Sequence, residues 1–505
     1  MTRKQKLLLN SLTSLIYQVV TLICGFVLPR MFLSTYGSEV NGLVSSITQF
    51  LGIISLCELG VGAVIQSSLY KPLAEGDRVG ISKIAISSER FFRRIAYILV
   101  GYTAILMFVY PLKTLGDFDY LYTLFLIFVI SISTFAQYYF GMTYRLILSA
   151  DQLGFIHFIV HSASLILNTV ACIILMKLGM SIHVVKLTTS LIFLLQPILV
   201  SIIAKRRYKI DRKIILTEEP IQQKWNGLTQ HIASVVHTNA PTVILTLFST
   251  FENISVYAVY HLVVNGVKQI VLSLTNGIQA MFGNMLAKNE THELTNSFDV
   301  FEWLMHTAVT IIFSLTGALI LPFVTVYTNG LNDVNYIVPT FGFALVAAES
   351  IYCIRLPYNI LVLAAGHYKQ TQTSAFIEAG IGIVVSTALV FPLGLVGVAI
   401  GTFCSMLYRT IYLTWYLSKN IVYRKMGIFV KHMVVDLLCV GALVATLCFL
   451  PNFFKLQTVS YFGWFVLALK TGVVCVLESA IINMIFYWSI AKRSIGIMLR
   501  RLQKK

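Results

Sequence analysis

Long apolar runs alternate with short polar stretches from one end of the chain to the other. A membrane-crossing helix needs about 20 predominantly apolar residues. Runs of that kind fall near 7–33, 40–69, 91–112, 118–141, 154–176, 184–204, 226–249, 255–286, 302–327, 336–364, 370–391, 395–418, 429–450 and 460–490. The stretches between them are too short for an inserted soluble domain. The pattern predicts an all-α polytopic membrane protein with about fourteen transmembrane helices.

Polar positions inside the runs follow helical spacing. The first run carries Asn10, Ser14, Tyr17, Thr21 and Gly25, and the seventh carries Asn226, Gln230, Ser234, His237 and Pro241. The second carries Asn41, Ser45, Thr48, Gly52 and Ser55, and the eighth His261, Asn265, Lys268, Thr275 and Gln279, with Leu272 interrupting. Steps of three and four put each set on one helix face. Polar groups in hydrocarbon cost several kcal/mol each unless satisfied, so these faces turn to the bundle or to a wet cavity. Ser, Thr and Gly serve as contacts between helices. Lys268, His237 and His261 need water, a partner or a ligand.

The two halves of the chain repeat. Asn10-Ser-Leu-Thr matches Asn226-Gly-Leu-Thr, and Gly60, Leu69 and Lys71 match Gly277, Leu286 and Lys288 at a constant offset of 217. Leu146-Ile-Leu-Ser-Ala-Asp-Gln matches Leu361-Val-Leu-Ala-Ala-Gly-His, and Leu178-Gly179 matches Leu393-Gly394, both at an offset of 215. Six runs per repeat is an even number, so both halves enter the membrane in the same direction, as a parallel repeat. The expected organisation is an N-lobe at 1–204, a basic cytoplasmic linker at 205–225, a C-lobe at 226–418, and two extra C-terminal helices with a basic tail at 419–505. Such paired repeats suit alternating access around a midplane site.

Composition changes the picture in one respect. Of the 505 residues, 57% are hydrophobic and 12% charged, against roughly 25% charged in a soluble domain. A net charge of +17 would suggest a polyanion partner in a soluble protein. Here it reports loops instead, and no nucleic-acid partner is expected. Of 38 Lys and Arg residues, 29 fall in the segments that lie inside if the N-terminus is cytoplasmic. Only Arg30, Lys113, Lys177, Lys186 and Lys455 fall outside. That asymmetry predicts both termini in the cytoplasm, and the charged start running into an apolar stretch to about Leu33 reads as an uncleaved first span. The eight cysteines all sit in apolar runs without a CxxC and read as small core residues. No P-loop, HExxH or nucleotide-binding glycine pattern is present, so neither enzymatic activity nor a cofactor or metal is expected.

Four cations remain within the spans: Lys268, Arg355, Arg409 and Lys470. A charge at the bilayer centre costs at least ~2.5–3.5 kcal/mol, and intramembrane ionisable residues mark function. Lys268 and Arg355 are the leading candidates to bind an anionic substrate. Arg30, Arg145 and Arg409 assist, and Asn265, His261 and His237 line the cavity. Arg30 and Arg145 lie nearer the interfaces, where snorkelling is the competing reading. Glu58, Glu349 and Glu378 either neutralise the cations or carry a coupling proton or sodium ion. Lys470 and Glu478 are eight residues apart, too far to pair on one helix, and are assigned a structural role.

The stretch Tyr36-Gly-Ser-Glu-Val-Asn-Gly-Leu-Val-Ser-Ser-Ile-Thr-Gln-Phe-Leu-Gly, with Glu58-Leu-Gly-Val-Gly62 and Leu69-Tyr-Lys-Pro-Leu-Ala-Glu-Gly-Asp77, resembles Wzx-type polysaccharide flippases. These belong to the superfamily that also holds multidrug exporters and the lipid II flippase. The resemblance implies two six-helix lobes around a central cavity, often with two extra helices. It implies an undecaprenyl-pyrophosphate-linked oligosaccharide as substrate, for capsule, exopolysaccharide or O-antigen assembly at the bacterial cytoplasmic membrane. A polysaccharide polymerase, glycosyltransferases and membrane lipids would be the partners. It further implies a cationic cavity for the pyrophosphate. None of the lipid II flippase's cavity arginines carries over residue by residue. The rivals are a cation-coupled multidrug exporter or a lipid II flippase of the same fold, a membrane glycosyltransferase or polymerase, and a purely structural membrane protein.

Overall fold

A computed structural model describes residues 3–58, 61–212, 214, 228–275 and 278–502; the side chains of 3–4, 7, 63, 228–234, 237, 280, 287 and 489–502 are outside that description. Most of the expected 205–225 linker therefore lies outside the described residues, as do the repeat glycines Gly60 and Gly277 and the last three residues of the basic tail. Among the described residues the structure is helical throughout. The chain divides into two compact units, Met1–Val243 and Ile244–Lys505.

The first unit contains α1 (Arg3–Gly52), a 3-10 segment (Ile53–Glu58), α2 (Val61–Glu75), α3 (Arg78–Thr114) and α4 (Tyr120–Ala136). A π-helical turn (Gln137–Gly141) follows, then α5 (Met142–Ala150), α6 (Gly154–Lys177) and α7 (Ile182–Tyr208). The unit boundary falls within α8 (Leu228–Phe248). The second unit continues with α9 (Phe251–Leu274), α10 (Ile278–Ala287), α11 (Thr291–Tyr327), α12 (Pro339–Ile354) and α13 (Leu356–Ala364). It ends with α14 (Gln372–Leu393), α15 (Leu395–Asn420), α16 (Gly427–Phe449) and α17 (Tyr461–Leu502).

Among the described residues, twelve helical stretches are long and apolar enough to cross a membrane. One of them, Leu8–Glu58, is 51 residues long and bends at Gly37, whose φ of 81° is open to glycine at little cost. At 1.5 Å per residue it is long enough for two passages. With α8, of which Thr238–Phe248 forms a shorter apolar helix, the spans match the apolar runs of the sequence. The chain is a multi-pass, all-α membrane protein.

The order of elements in α1–α7 recurs in α8–α15. The third spans, α3 and α11, are both 37 residues long. The second span of each half is interrupted near its end and resumes at Val61 in one and Ile278 in the other, which is the offset of 217 seen in the sequence. The fourth spans are also broken at matching places, by the π-helical turn in the first unit and at Arg355 in the second. The second break has a clear cause: Pro357 has no N–H to continue the ladder of α12, so a new helix starts with proline near its first position. Packing repeats too. In the first unit α4 packs on α3 and α7, and α6 on α7. In the second, α12 packs on α11 and α15, and α14 on α15.

The α14–α15 contact depends on Gly397 and Gly401, a GxxxG pair. A Cβ at Gly401 would meet the backbone of Ser386, with its nitrogen 2.5 Å away. Gly401→Val is therefore expected to force the two helices apart. Overpacking of this kind costs about 1–3 kcal/mol, visible as a lower apparent melting temperature in detergent, whereas Gly441→Val, with open space around it, should leave the melting temperature unchanged.

Candidate functional site

The second unit gathers the intramembrane cations into one cluster. Lys268 lies on α9, seven residues after His261 and three after Asn265, so the three share a helix face. Its Nζ is 3.1 Å from Glu349 Oε2 on α12 and 5.0 Å from the centre of the Tyr352 ring. On the same ring, the Arg355 guanidinium carbon sits 4.7 Å from the centroid. Arg355 occupies the break between α12 and α13 and donates to Glu378 Oε1 of α14 at 2.5 Å. Arg409 of α15 approaches the other oxygen of Glu378 at 3.6 Å and donates to the Thr371 carbonyl at 2.9 Å and to the Ser374 hydroxyl. Glu349, Arg355, Glu378 and Arg409 are all buried. Three cations thus face two carboxylates, and the cluster keeps one positive charge in excess. An ion pair taken out of water holds only if its geometry is good, and a second anion entering here would compete with Glu349 and Glu378 for the same donors. Tyr257 stacks on His261 with ring centres 5.4 Å apart.

The first unit carries Arg145, Glu58, Arg30 and His237. Arg145 on α5 lines a cavity of about 150 Å³. Gln137 and Gly141 of the π-helical turn line this cavity, and such turns are frequent at functional sites. Gly141 at the end of the turn lets the backbone approach Pro197 of α7 so closely that an added Cβ would lie 2.6 Å from the proline ring. His157 and His161 of α6 and Gln196 of α7 complete the polar lining, with Gln196 Nε2 2.7 Å from His161 Nδ1. The His157 Nδ1 atom is buried without a hydrogen-bond partner. Among the described residues Arg145 has neither an ion pair nor a hydrogen bond. A second polar cavity, of about 250 Å³, shares Thr134 and Gln137 with the first and reaches Ser55 and Thr48. Glu58, at the end of the 3-10 segment, accepts from the Tyr138 hydroxyl at 2.6 Å. Arg30 is half-buried on α1, next to Pro29. The side chain of His237 lies outside the described residues. Lys470 lies over the Phe453 ring at 4.7 Å, and Glu478 accepts from Thr446 at 2.5 Å, so the two do not pair with each other.

The sequence reading missed a buried polar network that joins α11, α13, α16 and α17. Arg424, in the turn before α16, forks onto both oxygens of Glu302 and reaches Asp299 at 3.0 Å. Burial pushes the Arg424 guanidinium down, but the Glu302 carboxylate beside it more than offsets this, and it ends above its ordinary value. Tyr358 donates to Glu302 at 2.6 Å, and His306 and Asp436 continue the chain of hydrogen bonds. A signal was present: Glu302 and His306 stand four apart within one apolar run, and Asp436 sits inside another. Beside Asp436 lies an apolar cavity of about 770 Å³, lined by α11, α12, α15 and α16.

No protein-family profile matches the sequence, and no curated protein sequence matches it. Solved structures do. The lipid II flippase MurJ in an inward closed conformation aligns at a TM-score of 0.66 and 15% identity, over 95% of this chain and 99% of that one. An inward-facing multidrug resistance MATE family transporter of the MOP superfamily aligns at 0.59 and 14%, over 79% and 95%. The bent form of the Vibrio cholerae MATE transporter VcmN aligns at 0.52 and 12%, over 83% and 97%. At such identities the likeness defines the fold, and the chain has the two-lobe polytopic fold of these transporters.

Proposed function

We propose that the protein is a flippase that moves undecaprenyl-pyrophosphate-linked oligosaccharides from the cytoplasmic to the outer leaflet of a bacterial inner membrane. The observation that carries this reading is Arg145: a half-buried cation lining a polar cavity near the end of its span, with no acidic partner among the described residues. A phosphate or pyrophosphate oxygen would satisfy its guanidinium fork. The surplus charge of the Lys268–Arg355–Arg409 cluster favours the same sign of substrate. Gln137, Gln196, Ser133 and Thr134 around Arg145 supply neutral donors and acceptors of the kind sugars use. The apolar cavity beside α16 has the chemistry to take part of the polyprenyl chain, with Phe313, Leu407 and Val440 among its walls.

The test is reconstitution with a fluorescent undecaprenyl-pyrophosphate-linked saccharide and a quencher that reads leaflet exposure. A charge-assisted hydrogen bond contributes about 1.5–3 kcal/mol, so Arg145→Gln is expected to slow translocation by roughly ten- to a hundredfold at equal protein content. Unchanged translocation by Arg145→Gln, or export of cationic dyes with no movement of the lipid-linked saccharide by the wild type, would overturn the proposal.

A further inference from the structure

The polar network of the second unit fixes the location of one proton. Glu302 is fully buried and holds the two-pronged grip of Arg424 on both oxygens, so it accepts and does not donate. The Tyr358 hydroxyl, 2.6 Å from Glu302 Oε1, must therefore spend its only hydrogen there. His306 Nε2 stands 2.9 Å from the same hydroxyl, and the one remaining way to make that bond is for Nε2–H to donate. On the other side of the ring, His306 Nδ1 lies 2.5 Å from Asp436 Oδ2. With Nε2 already the donor, a neutral ring offers only a lone pair at Nδ1. A lone pair and a carboxylate cannot approach to that distance, so the contact contains a proton, either as imidazolium and carboxylate or as imidazole and carboxylic acid. Thr310 donates to Asp436 Oδ1 at 2.8 Å and fixes the second oxygen.

Charge counting agrees. Asp299 and Glu302 on α11 and Asp436 on α16 bring three carboxylates, and among the described residues Arg424 is the one guanidinium that meets them. The other basic groups facing Glu302 and Asp436 among the described residues are the imidazoles of His432 and His306. His432 of α16 stacks on His306 with ring centres 4.8 Å apart, within 3.6 Å of Glu302 and 2.8 Å from the Tyr487 hydroxyl of α17. Two imidazolium rings at that separation repel, so a proton held on one disfavours a second on the other. Lys431 lies over the far Tyr487 ring, and buried Cys439 follows Asp436 on α16. Within the apolar runs, His306 lies about 6 Å inside its span and Asp436 about 10 Å inside its own, and Asp436 borders the cavity of about 770 Å³.

The geometry points to the His306–Asp436 pair as the binding site of the proton that couples to transport, an assignment that rests on the transporter reading above. Glu349 and Glu378 are each held by Lys268, Arg355 or Arg409, and Glu58 by Tyr138; among the described residues the His306–Asp436 pair is bound to no permanent cation. Loss of its proton leaves two acceptors facing each other at 2.5 Å, and they must separate. That separation loosens α16 from α11, which ties the protonation state to the packing of the terminal helices.

A pH jump applied to substrate-free proteoliposomes on a solid-supported membrane should give a transient current from proton binding within the membrane. Asp436→Asn and His306→Gln should lose it, and Glu478→Gln, an interior acid outside the network, should keep it. On the wild type, ¹⁵N-histidine spectra should show the His306 Nδ1 resonance, assigned by through-space contact with the Tyr358 and Phe429 rings, changing as the pH is varied. Should the variants not fold, the wild-type spectrum decides alone. Current in Asp436→Asn equal to wild type, or a pH-independent His306 resonance, would overturn the assignment. A proton current without saccharide translocation would remove the flippase reading and leave the proton site standing. Translocation indifferent to pH in a protein without the current would do the reverse.

Discussion

Arg424→Ala is expected to destabilise the protein more than any other single truncation of a loop residue. Arg424 is almost wholly buried although it lies in the turn between α15 and α16, and Glu302, which it grips, has no exposed surface. Removing one partner of a buried ion pair leaves an uncompensated charge and costs about 3–5 kcal/mol. His432, 3.6 Å from the second Glu302 oxygen, compensates in part. Because Glu302 also receives Tyr358, and through it His306 and Asp436, the loss should spread to the docking of α16 and α17 on α11. The measurement is the apparent melting temperature in detergent, with protease accessibility of the 421–426 turn as a local readout. Arg424→Lys should recover little, since one ammonium cannot reproduce the fork. Arg424→Met with Glu302→Gln should recover much of the loss, since neither charge then remains buried. A melting temperature unchanged in Arg424→Ala would mean that the network does not hold the terminal helices.

The spans were legible because each needs an unbroken apolar run, and hydrocarbon allows few exceptions. The repeat was legible from offsets, and the structure extends it to features the sequence shows only faintly. Pro357 announces the break at Arg355, but nothing in the residues of 137–141 announces the π-helical turn. Candidate charges were legible singly, because any intramembrane ionisable residue stands out against its run. Their partners were not: Lys268 and Glu349 are 81 residues apart and His306 and Asp436 are 130, and one sequence carries no record of which distant side chains meet. Arg424 was counted among cytoplasmic loop charges, which its position in the chain suggests and its burial contradicts. Cations outnumber acids around Lys268 and Arg145, while the α11–α16 network reverses that balance.

Lys268→Ala should slow translocation of a lipid-linked saccharide far more than Lys470→Ala at equal expression. Lys268 belongs to a cluster with one cation in excess, whereas Lys470 only covers the Phe453 ring. The single variant has a second consequence, because it strands the buried Glu349 carboxylate, and misfolding would mimic loss of function. Lys268→Ala with Glu349→Ala separates the two. If the pair is structural alone, the double variant regains both stability and transport. If Lys268 binds the pyrophosphate, it regains stability and stays slow, a coupling that a double-mutant cycle isolates. The energetics set the direction of the load. A pyrophosphate bearing about two charges gains roughly 4.6 kcal/mol on moving outward through a full 100 mV, interior negative. Cavity cations that travel with it cancel part of that gain, so a carrier loaded through Lys268 is less sensitive to voltage than the bare anion. Lys268→Ala should therefore leave the residual flux more voltage-dependent than the wild type. Residual flux with the same voltage dependence would show that the Lys268 charge does not move with the substrate.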